Sequence, residues 1–138
     1  MRYYVDFLVI GSGIAGLSFA LKVAKYGKVC ILTKSDASEG STKYAQGGIA
    51  AVMYNPDSYE KHIQDTLIAG DGLCDEDVVR MTITESTDRV KELINWGVNF
   101  DKSGTGEYDL HREGGHSEFR ILHHKDKTGE EIESELLN

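Results

Sequence analysis

The sequence is poor in the features of a secreted, membrane-bound or nucleic-acid-binding protein. Its two cysteines, Cys30 and Cys74, are too few for a disulfide framework and lack metal-ligand spacing. No apolar run approaches the roughly 20 residues that a membrane helix needs, and residues 1–4 do not resemble a secretory leader. Lys and Arg number 15 against 23 Asp and Glu, and the net charge of −8 disfavours nucleic acid and anionic membranes as partners. We expect an acidic cytoplasmic protein.

Proline is also scarce, with Pro56 alone, whereas glycine is abundant. Fifteen glycines in 138 residues exceed the usual share of about 7%. They are clustered, as Gly11/Gly13/Gly16, Gly47/Gly48, Gly70/Gly72, Gly104/Gly106 and Gly114/Gly115. Grouped glycines between apolar segments indicate places where the backbone closely approaches something else, often a ligand.

Residues 5–33 predict a strand, a helix and a second strand. Residues 5–10 form a short β-branched and aromatic run that ends at glycine, which is typical of a buried strand. A helix is predicted over roughly residues 14–26, ending at Gly27, with Ile14, Leu17, Leu21 and Ala24 at helical spacing. Residues 28–33 predict a second buried strand, in which Cys30 serves as a small buried hydrophobe. Such a βαβ unit predicts parallel strands.

The rest of the chain predicts a loop, three helices and short strands. Residues 34–47 predict a loop, and residues 48–53 fit either a short strand or a helix start. Helices are predicted from about Asp57–Ser58, from an Asp75 N-cap to Trp96 with Gly97 closing it, and from a capping box at residues 128–131. Residues 119–123 predict a strand, and the fold of residues 98–118 stays open. The residues expected along one face of the helix from about Asp57–Ser58 are Tyr59, Ile63, Thr66 and Leu67. The expected core face of the longer helix is Val78, Val79, Ile83, Val90, Leu93 and Ile94.

Residues 11–16 match the pattern G-x-G-x-x-G between a strand and a helix. Gly11 permits the tight turn, Gly13 lets a pyrophosphate approach, and Gly16 allows close packing of helix on strand. The helix N-terminus supplies positive partial charge for phosphates. The acidic residue that commonly follows the second strand is absent, and Lys34 there fits either a 2′-phosphate or simple solvation. The motif therefore predicts a dinucleotide without saying which.

Three further segments give the chain a specific resemblance. They are residues 40–52 (GSTKYAQGGIAAV), residues 65–75 (DTLIAGDGLCD), and residues 112–117 (REGGHS) followed by RILH at 120–123. From Val5 onward the chain resembles the N-terminal part of the aspartate oxidase branch of the succinate dehydrogenase and fumarate reductase flavoprotein family. The resemblance implies an α/β fold with a Rossmann-like FAD-binding domain. Residues 1–138 would be its N-terminal fragment, part of a larger discontinuous flavin domain without the capping and C-terminal helical domains.

The resemblance also implies how FAD is held. Relatives that bind FAD covalently carry a histidine where this chain has Ser41, so non-covalent FAD is implied. Residues 12–15 are implied at the pyrophosphate, Lys34 at the adenosine side, and residues 41–48 along the cofactor towards the isoalloxazine. With the outer glycines of the motif, the expected cofactor-binding set is Gly11, Ser12, Gly13, Ile14, Ala15, Gly16, Lys34, Ser41, Thr42, Lys43, Tyr44, Ala45, Gln46, Gly47 and Gly48.

Glu113 is the residue implied to choose the substrate. Dicarboxylate-specific relatives carry an apolar aromatic residue there, whereas aspartate oxidases use the glutamate to orient L-aspartate. A carboxylate favours the substrate ammonium, in a contact worth roughly 1.5–3 kcal/mol. His116 and Ser117 are further catalytic candidates near the substrate, although His116 equally fits a loop histidine bonded to backbone. The remaining histidines, His62, His111, His123 and His124, are interpreted as structural or solvated.

The implied reaction is oxidation of L-aspartate to iminoaspartate, with hydride transfer to flavin N5 and reoxidation by oxygen or fumarate. Its product would feed quinolinate synthase in de novo NAD biosynthesis, and no metal is expected. The groups that clamp the substrate carboxylates are implied beyond Asn138, so residues 1–138 alone are expected to be inactive, to bind FAD weakly and to self-associate. The alternatives are a soluble fumarate reductase-type flavoprotein, disfavoured by Glu113, and a non-redox dinucleotide-binding module.

Overall fold

Two small sheets and four helices make up the computed structural model, which describes residues 2–138. The elements are β1 (Phe7–Ile10), α1 (Ile14–Val23), β2 (Val29–Leu32), β3 (Ile49–Ala50), α2 (Tyr59–Ala69), α3 (Glu76–Asn95), β4 (Leu110–His111), β5 (Ile121–Leu122) and α4 (Thr128–Leu137). Strands β1 and β2 form one sheet, and the other has the order β3-β5-β4. Among residues 2–138, none of the helices is both long and apolar enough to cross a membrane.

The predicted βαβ unit is confirmed, with β1 and β2 parallel and Phe7 opposite Val29. Helix α1 ends at Val23 rather than near residue 26. The chain leaves the helix in a tighter turn, in which the Tyr26 N–H donates to the Val23 carbonyl three residues earlier, at 2.8 Å. Residues 34–47 form no helix or strand, as predicted.

The prediction that both strands are buried is wrong. Val9 is 7% exposed, but Leu8 and Ile10 on the same strand are 59% and 80% exposed, and Cys30 is half-buried. Helix α1 packs on this two-stranded sheet, so residues that point away from α1 keep their contact with solvent. Apolar composition identified the strands correctly but did not determine how many layers cover them.

The inward face of α1 also differs from the expected one. Leu17 and Ala20 are buried, whereas Leu21 is 40% exposed and Ala24 is exposed. Leu17 belongs to a core that joins α1, α3, α4 and the second sheet. The buried members of this core are Leu17, Ala51, Val90, Leu93, Val98, Phe100, Leu122, Ile132 and Leu136.

Helix α3 begins at the predicted Asp75 cap, and α2 begins where a helix start was predicted, around Asp57 and Ser58, with Ser58 as its cap. The Ser58 hydroxyl accepts from the Lys61 N–H at 3.3 Å, and an Asp75 carboxylate oxygen accepts from the Val78 N–H at 3.2 Å. Gly97 follows α3 with φ +108°, as expected for a helix stop. Val78 is 52% exposed rather than inward-facing, because it lies in the first turn, outside the face that packs.

The prediction of a capping box at residues 128–131 is wrong. The Thr128 hydroxyl accepts from the His124 N–H at 3.0 Å, and the cap position belongs to Lys127. The helix starts earlier because Thr128 and Gly129 are buried against the 42–45 segment, where the Gly129 N–H donates to the Ala45 carbonyl at 2.8 Å. A Cβ on Gly129 would overlap the Thr42 carbonyl oxygen, so this helix start depends on glycine.

The second sheet contains the segments whose secondary structure the sequence did not decide. Residues 48–53 contribute the strand β3, and β5 occupies two residues of the predicted 119–123 strand. Residues 98–118 contribute β4 and an antiparallel bridge between Lys102 and Tyr108. Strand β5 lies between β3 and β4, which brings the glycine-rich segment before β3 close to the loop between β4 and β5.

Candidate cofactor and substrate site

The glycine turn between β1 and α1 depends on its backbone conformation. Gly11 has φ +104°, which favours glycine. A Cβ on Gly16 would overlap the Gly11 carbonyl oxygen, so glycine lets α1 close onto the turn. The first turn of α1, residues 14–17, carries apolar residues and glycine, which leaves the positive end of the helix dipole uncompensated. This arrangement suits an anion.

A pocket of about 420 Å³ opens at this turn. The Thr42 hydroxyl accepts from the Ile14 N–H at 3.1 Å, which fastens the 40–42 segment to the start of α1. The basic side chain among the lining residues is Lys34. The pocket is lined by Ile10, Gly11, Ser12, Gly13, Leu32, Thr33, Lys34, Ser35, Glu39, Gly40, Ser41 and Thr42. The chemistry of this lining fits a pyrophosphate.

A second pocket of about 300 Å³ shares Ser41 and Thr42 with the first. Much of its lining is apolar, with Ile14, Ala45, Gly48 and Ile49 among its members. Two adjoining pockets, one at the glycine turn before α1 and one largely apolar, fit a ligand with a phosphate group at one end and an aromatic ring at the other. FAD has both.

Several expected cofactor residues lie outside these pockets. The exposed Tyr44 hydroxyl donates to the Glu39 carboxylate at 2.9 Å, and this hydrogen bond raises the pKa of Tyr44. Lys43 lines a separate cavity that also contains Glu133. Ala15, Gln46 and Gly47 are exposed, and Gly16 acts through packing.

Glu133 is a buried acid that the sequence did not mark. It is 2% exposed, and within residues 2–138 its carboxylate oxygens have no hydrogen-bond partner. Burial raises the pKa of Glu133, against the opposing charge of Lys43.

Glu113 lies beside the Gly47 backbone. An ideal Cβ on Gly47 would be 3.8 Å from the Glu113 Oε1 atom, so the segments around Gly47 and Glu113 meet in space. Glu113 is exposed, and no salt bridge engages it among residues 2–138. Its carboxylate is available for a cationic group.

Ser117 has a structural partner in α2. Its N–H and its hydroxyl both donate to Asp65 Oδ2, each at 2.8 Å. Although burial opposes ionisation, these bonds and a further one from Arg120 hold the pKa of Asp65 below its usual value. The structure thus gives the exposed Ser117 hydroxyl a fixed partner in Asp65.

Arg120 is fully buried, and sequence reasoning assigned it no role. Its Nε and Nη2 donate to the two carboxylate oxygens of Asp57 at 2.9 and 2.8 Å, and Nη1 donates to Asp65 at 2.6 Å. Burial disfavours the guanidinium, but these carboxylates outweigh it and raise the pKa of Arg120. The available signal was a cation inside the predicted apolar strand at 119–123.

His116 packs against His62 of α2, with ring centroids 5.8 Å apart. Burial, aided by the charges of Arg120 and His116, lowers the pKa of His62 to about 4. The Nδ1 atom of His116 is buried and has no hydrogen-bond partner among residues 2–138, so Nδ1 is not bonded to backbone.

Asp109, His111 and His123 form a separate polar cluster, with one potential ligand atom from each within 4.8 Å of the others. The two imidazole rings are stacked at 3.7 Å with planes 24° apart. Because imidazole lone pairs lie in the ring plane, two nearly parallel rings do not point at one ion. The observed arrangement therefore does not fit a metal site.

Comparison with known proteins places this geometry in a family. The family described as FAD binding domain matches residues 6–138. L-aspartate oxidase, chloroplastic, of Oryza sativa subsp. japonica is 56% identical over 134 residues, which cover 97% of this chain and 21% of the relative. L-aspartate oxidase of Vibrio cholerae is 55% identical over 140 residues, 98% of this chain and 26% of the relative. The chain thus spans about a fifth to a quarter of these relatives.

Solved flavoprotein structures share the fold. Mycobacterium smegmatis Sdh1 in complex with UQ1 superposes with a TM-score of 0.90 at 35% identity, covering 98% of this chain and 23% of that one. A quinol-fumarate reductase with menaquinol molecules gives a TM-score of 0.91 at 31% identity, covering 99% of this chain and 24% of that one. The predicted Rossmann-like flavin fold and the FAD cofactor are confirmed.

Proposed function

This chain belongs to the family of FAD binding domains, and on that premise we propose that the protein carrying it oxidises L-aspartate to iminoaspartate. The observation that carries the proposal is the position of the Glu113 carboxylate beside Gly47, next to the apolar pocket. Relatives named L-aspartate oxidase, at 55–56% identity, support the same substrate. Their greater length fits our expectation that residues 1–138 form part of a larger flavin domain.

The glycine turn and the 40–48 segment are the parts that would hold FAD. Backbone groups at Gly11, Ser12 and Gly13 and the start of α1 bind the diphosphate, with Lys34 at the same pocket. Ser41, Thr42, Ala45 and Gly48 lie towards the apolar pocket. The bound FAD supplies the hydride acceptor. Serine at position 41 supports non-covalent binding, because covalent relatives carry histidine there.

Glu113 orients the substrate through charge. L-aspartate differs from succinate by an ammonium group, and a nearby carboxylate attracts that cation while repelling a plain dicarboxylate. His116 and Ser117 lie on the same loop and shape its inner side. Oxygen or fumarate would serve as the final acceptor, and iminoaspartate would pass to quinolinate synthase for NAD synthesis. We propose a cytoplasmic location, although the rice relative is named chloroplastic.

The test is an anaerobic visible spectrum of the flavin-loaded protein that carries residues 1–138, before and after L-aspartate. Bleaching of the flavin band supports aspartate oxidation. Glu113→Gln should weaken L-aspartate binding about tenfold or more, as a charge-assisted contact of roughly 1.5–3 kcal/mol implies, and should not weaken succinate binding, because the variant removes a charge that repels a plain dicarboxylate. Glu107→Gln, an exposed acid before β4, is the matched control.

Other outcomes separate the alternatives. An unchanged flavin band with L-aspartate, together with reoxidation of reduced flavin by fumarate, would identify a fumarate reductase-type flavoprotein. Dinucleotide binding with no flavin absorbance would identify a non-redox module.

A further inference from the structure

We propose that Asp65 is a positioning residue for Glu113: with Arg120, it anchors the 112–117 loop to α2 and so fixes the carboxylate that selects the ammonium of L-aspartate. The inference rests on the proposed function of Glu113. It adds that selectivity depends on a residue of α2 that touches neither substrate nor cofactor.

Helix α2 presents one face to the 112–117 loop. His62, Asp65 and Ala69 are three and four residues apart, which places them on the same side of a helix. Each meets a different loop residue. The His62 ring packs on His116 at 5.8 Å, Asp65 accepts two bonds from Ser117 at 2.8 Å, and the Ala69 Cβ lies 3.7 Å from an ideal Cβ on Gly115.

Asp65 Oδ2 is the strongest of these attachment points. It receives three donors, the Ser117 N–H, the Ser117 hydroxyl and Arg120 Nη1. Arg120 in turn is locked by its two bonds to Asp57, just before α2. The guanidinium is fully buried, so water does not compete for its bonds to Asp57 and Asp65, and Asp65 is held in a fixed position for Ser117.

A short turn connects this anchor to Glu113. The His116 N–H donates to the Glu113 carbonyl at 3.2 Å, closing the turn over two glycines, and Gly115 has φ +85°. Glycines give the free loop many conformations, and an ordered loop must give them up. The Ser117–Asp65 bonds restrict that freedom in advance, which keeps the Glu113 carboxylate beside Gly47 before substrate arrives.

The decisive variant is Ser117→Ala, which removes one anchor bond and leaves the Arg120 ion pairs intact. In the flavin-loaded protein we expect the KM for L-aspartate to rise about threefold to tenfold, the effect of one hydrogen bond. The inhibition constant of succinate should not rise, because succinate has no ammonium group for Glu113 to hold. In Ser117→Ala/Glu113→Gln the loss should not exceed that of Glu113→Gln alone, because Ser117 acts through Glu113.

A second measurement does not depend on activity. Amide hydrogen exchange of residues 113–117 should accelerate in Ser117→Ala and in the shape-preserving Asp65→Asn, while α3 keeps its protection. Ser103→Ala is the matched control, because the Ser103 hydroxyl bonds the Glu107 carbonyl in a different loop. It should change neither the exchange of residues 113–117 nor the KM.

The failures are distinguishable. Equal weakening of L-aspartate and succinate, additive losses in the double variant, or unchanged loop exchange would overturn the inference and leave the proposed function standing. A Glu113→Gln variant with unaltered selectivity would overturn the proposed role of Glu113, and the inference with it.

Discussion

The glycine turn after β1 and the 112–117 loop are the two segments that we propose to face ligands, but they are held in opposite ways. The turn uses backbone geometry within six consecutive residues, 11–16, on a sheet where Ile10 is 80% exposed. The loop depends on the side chains of Asp57, Asp65 and Arg120, in which the fully buried Arg120 bridges the two aspartates.

The difference shows what each kind of site needs. A helix N-terminus and a glycine turn present N–H groups by local geometry. Such a site therefore forms even on a sheet that a helix covers on only one face. A glycine-containing loop lacks that internal order and needs an external anchor. Here the anchor is an ion-paired network whose charges are stable only while every member has its partner.

The largest expected effect tests that network. Arg120→Met leaves the carboxylates of Asp57 and Asp65 buried without their cation, and should lower the free energy of unfolding by about 3–5 kcal/mol. Urea unfolding at pH 7 measures it. Arg89→Met is the control, because Arg89 is half-exposed in its pair with Glu92 and should cost less than about 1 kcal/mol. Similar losses of stability in Arg120→Met and Arg89→Met would show that the buried network is no more important than an exposed ion pair.

An intermediate effect tests the turn. Gly16→Ala forces a methyl group against the Gly11 carbonyl and should lower the free energy of unfolding by about 1–3 kcal/mol. Because relief of this overlap displaces the start of α1 from the glycine turn, the Kd for FAD should also rise. Flavin fluorescence titration measures it. Gly104→Ala, where a Cβ meets nothing within 4 Å, should leave the Kd unchanged. If Gly16→Ala left the Kd for FAD unchanged, close packing of α1 on the glycine turn would not be needed for FAD binding.

The smallest effect is a pH dependence beside the loop anchor. His62 titrates at about 4 in the folded state against 6.5 for an ordinary histidine, so the unfolded chain binds more protons in between and acid destabilises the fold. Between pH 6.5 and 5 this amounts to about 1–2 kcal/mol. Urea unfolding across that range should show a shallower loss in His62→Gln than in wild type.

Other charged and titratable groups near His62 determine which controls that measurement needs. Arg120, His116, Asp57 and Asp65 face His62, and the lowered pKa of Asp65 makes its contribution disappear only below about pH 4. Glu133, whose pKa is raised, acts in the opposite direction, but it is present in both proteins. Gln64→Ala, at an exposed, non-titratable position on the same helix, should keep the wild-type slope, and an equal change in it would remove the assignment to His62.

The sequence by itself determined the βαβ unit, the glycine turn, the start of α2 and the cap at Asp75. These features depend on neighbours a few residues apart, so composition and spacing describe their physics fully. The family segments likewise singled out Ser41 and Glu113 before any geometry was known.

Only the tertiary structure decided the burial of β1, the start of α4 and the anchor at Asp65. Exposure of Leu8 depends on which layers cover a sheet, and the Thr128 hydroxyl had two competing partners close in sequence. Arg120 meets aspartates more than 50 positions away, at separations of 55 and 63 residues. No local pattern encodes such a contact, because it exists only after α2 and the second sheet have packed together.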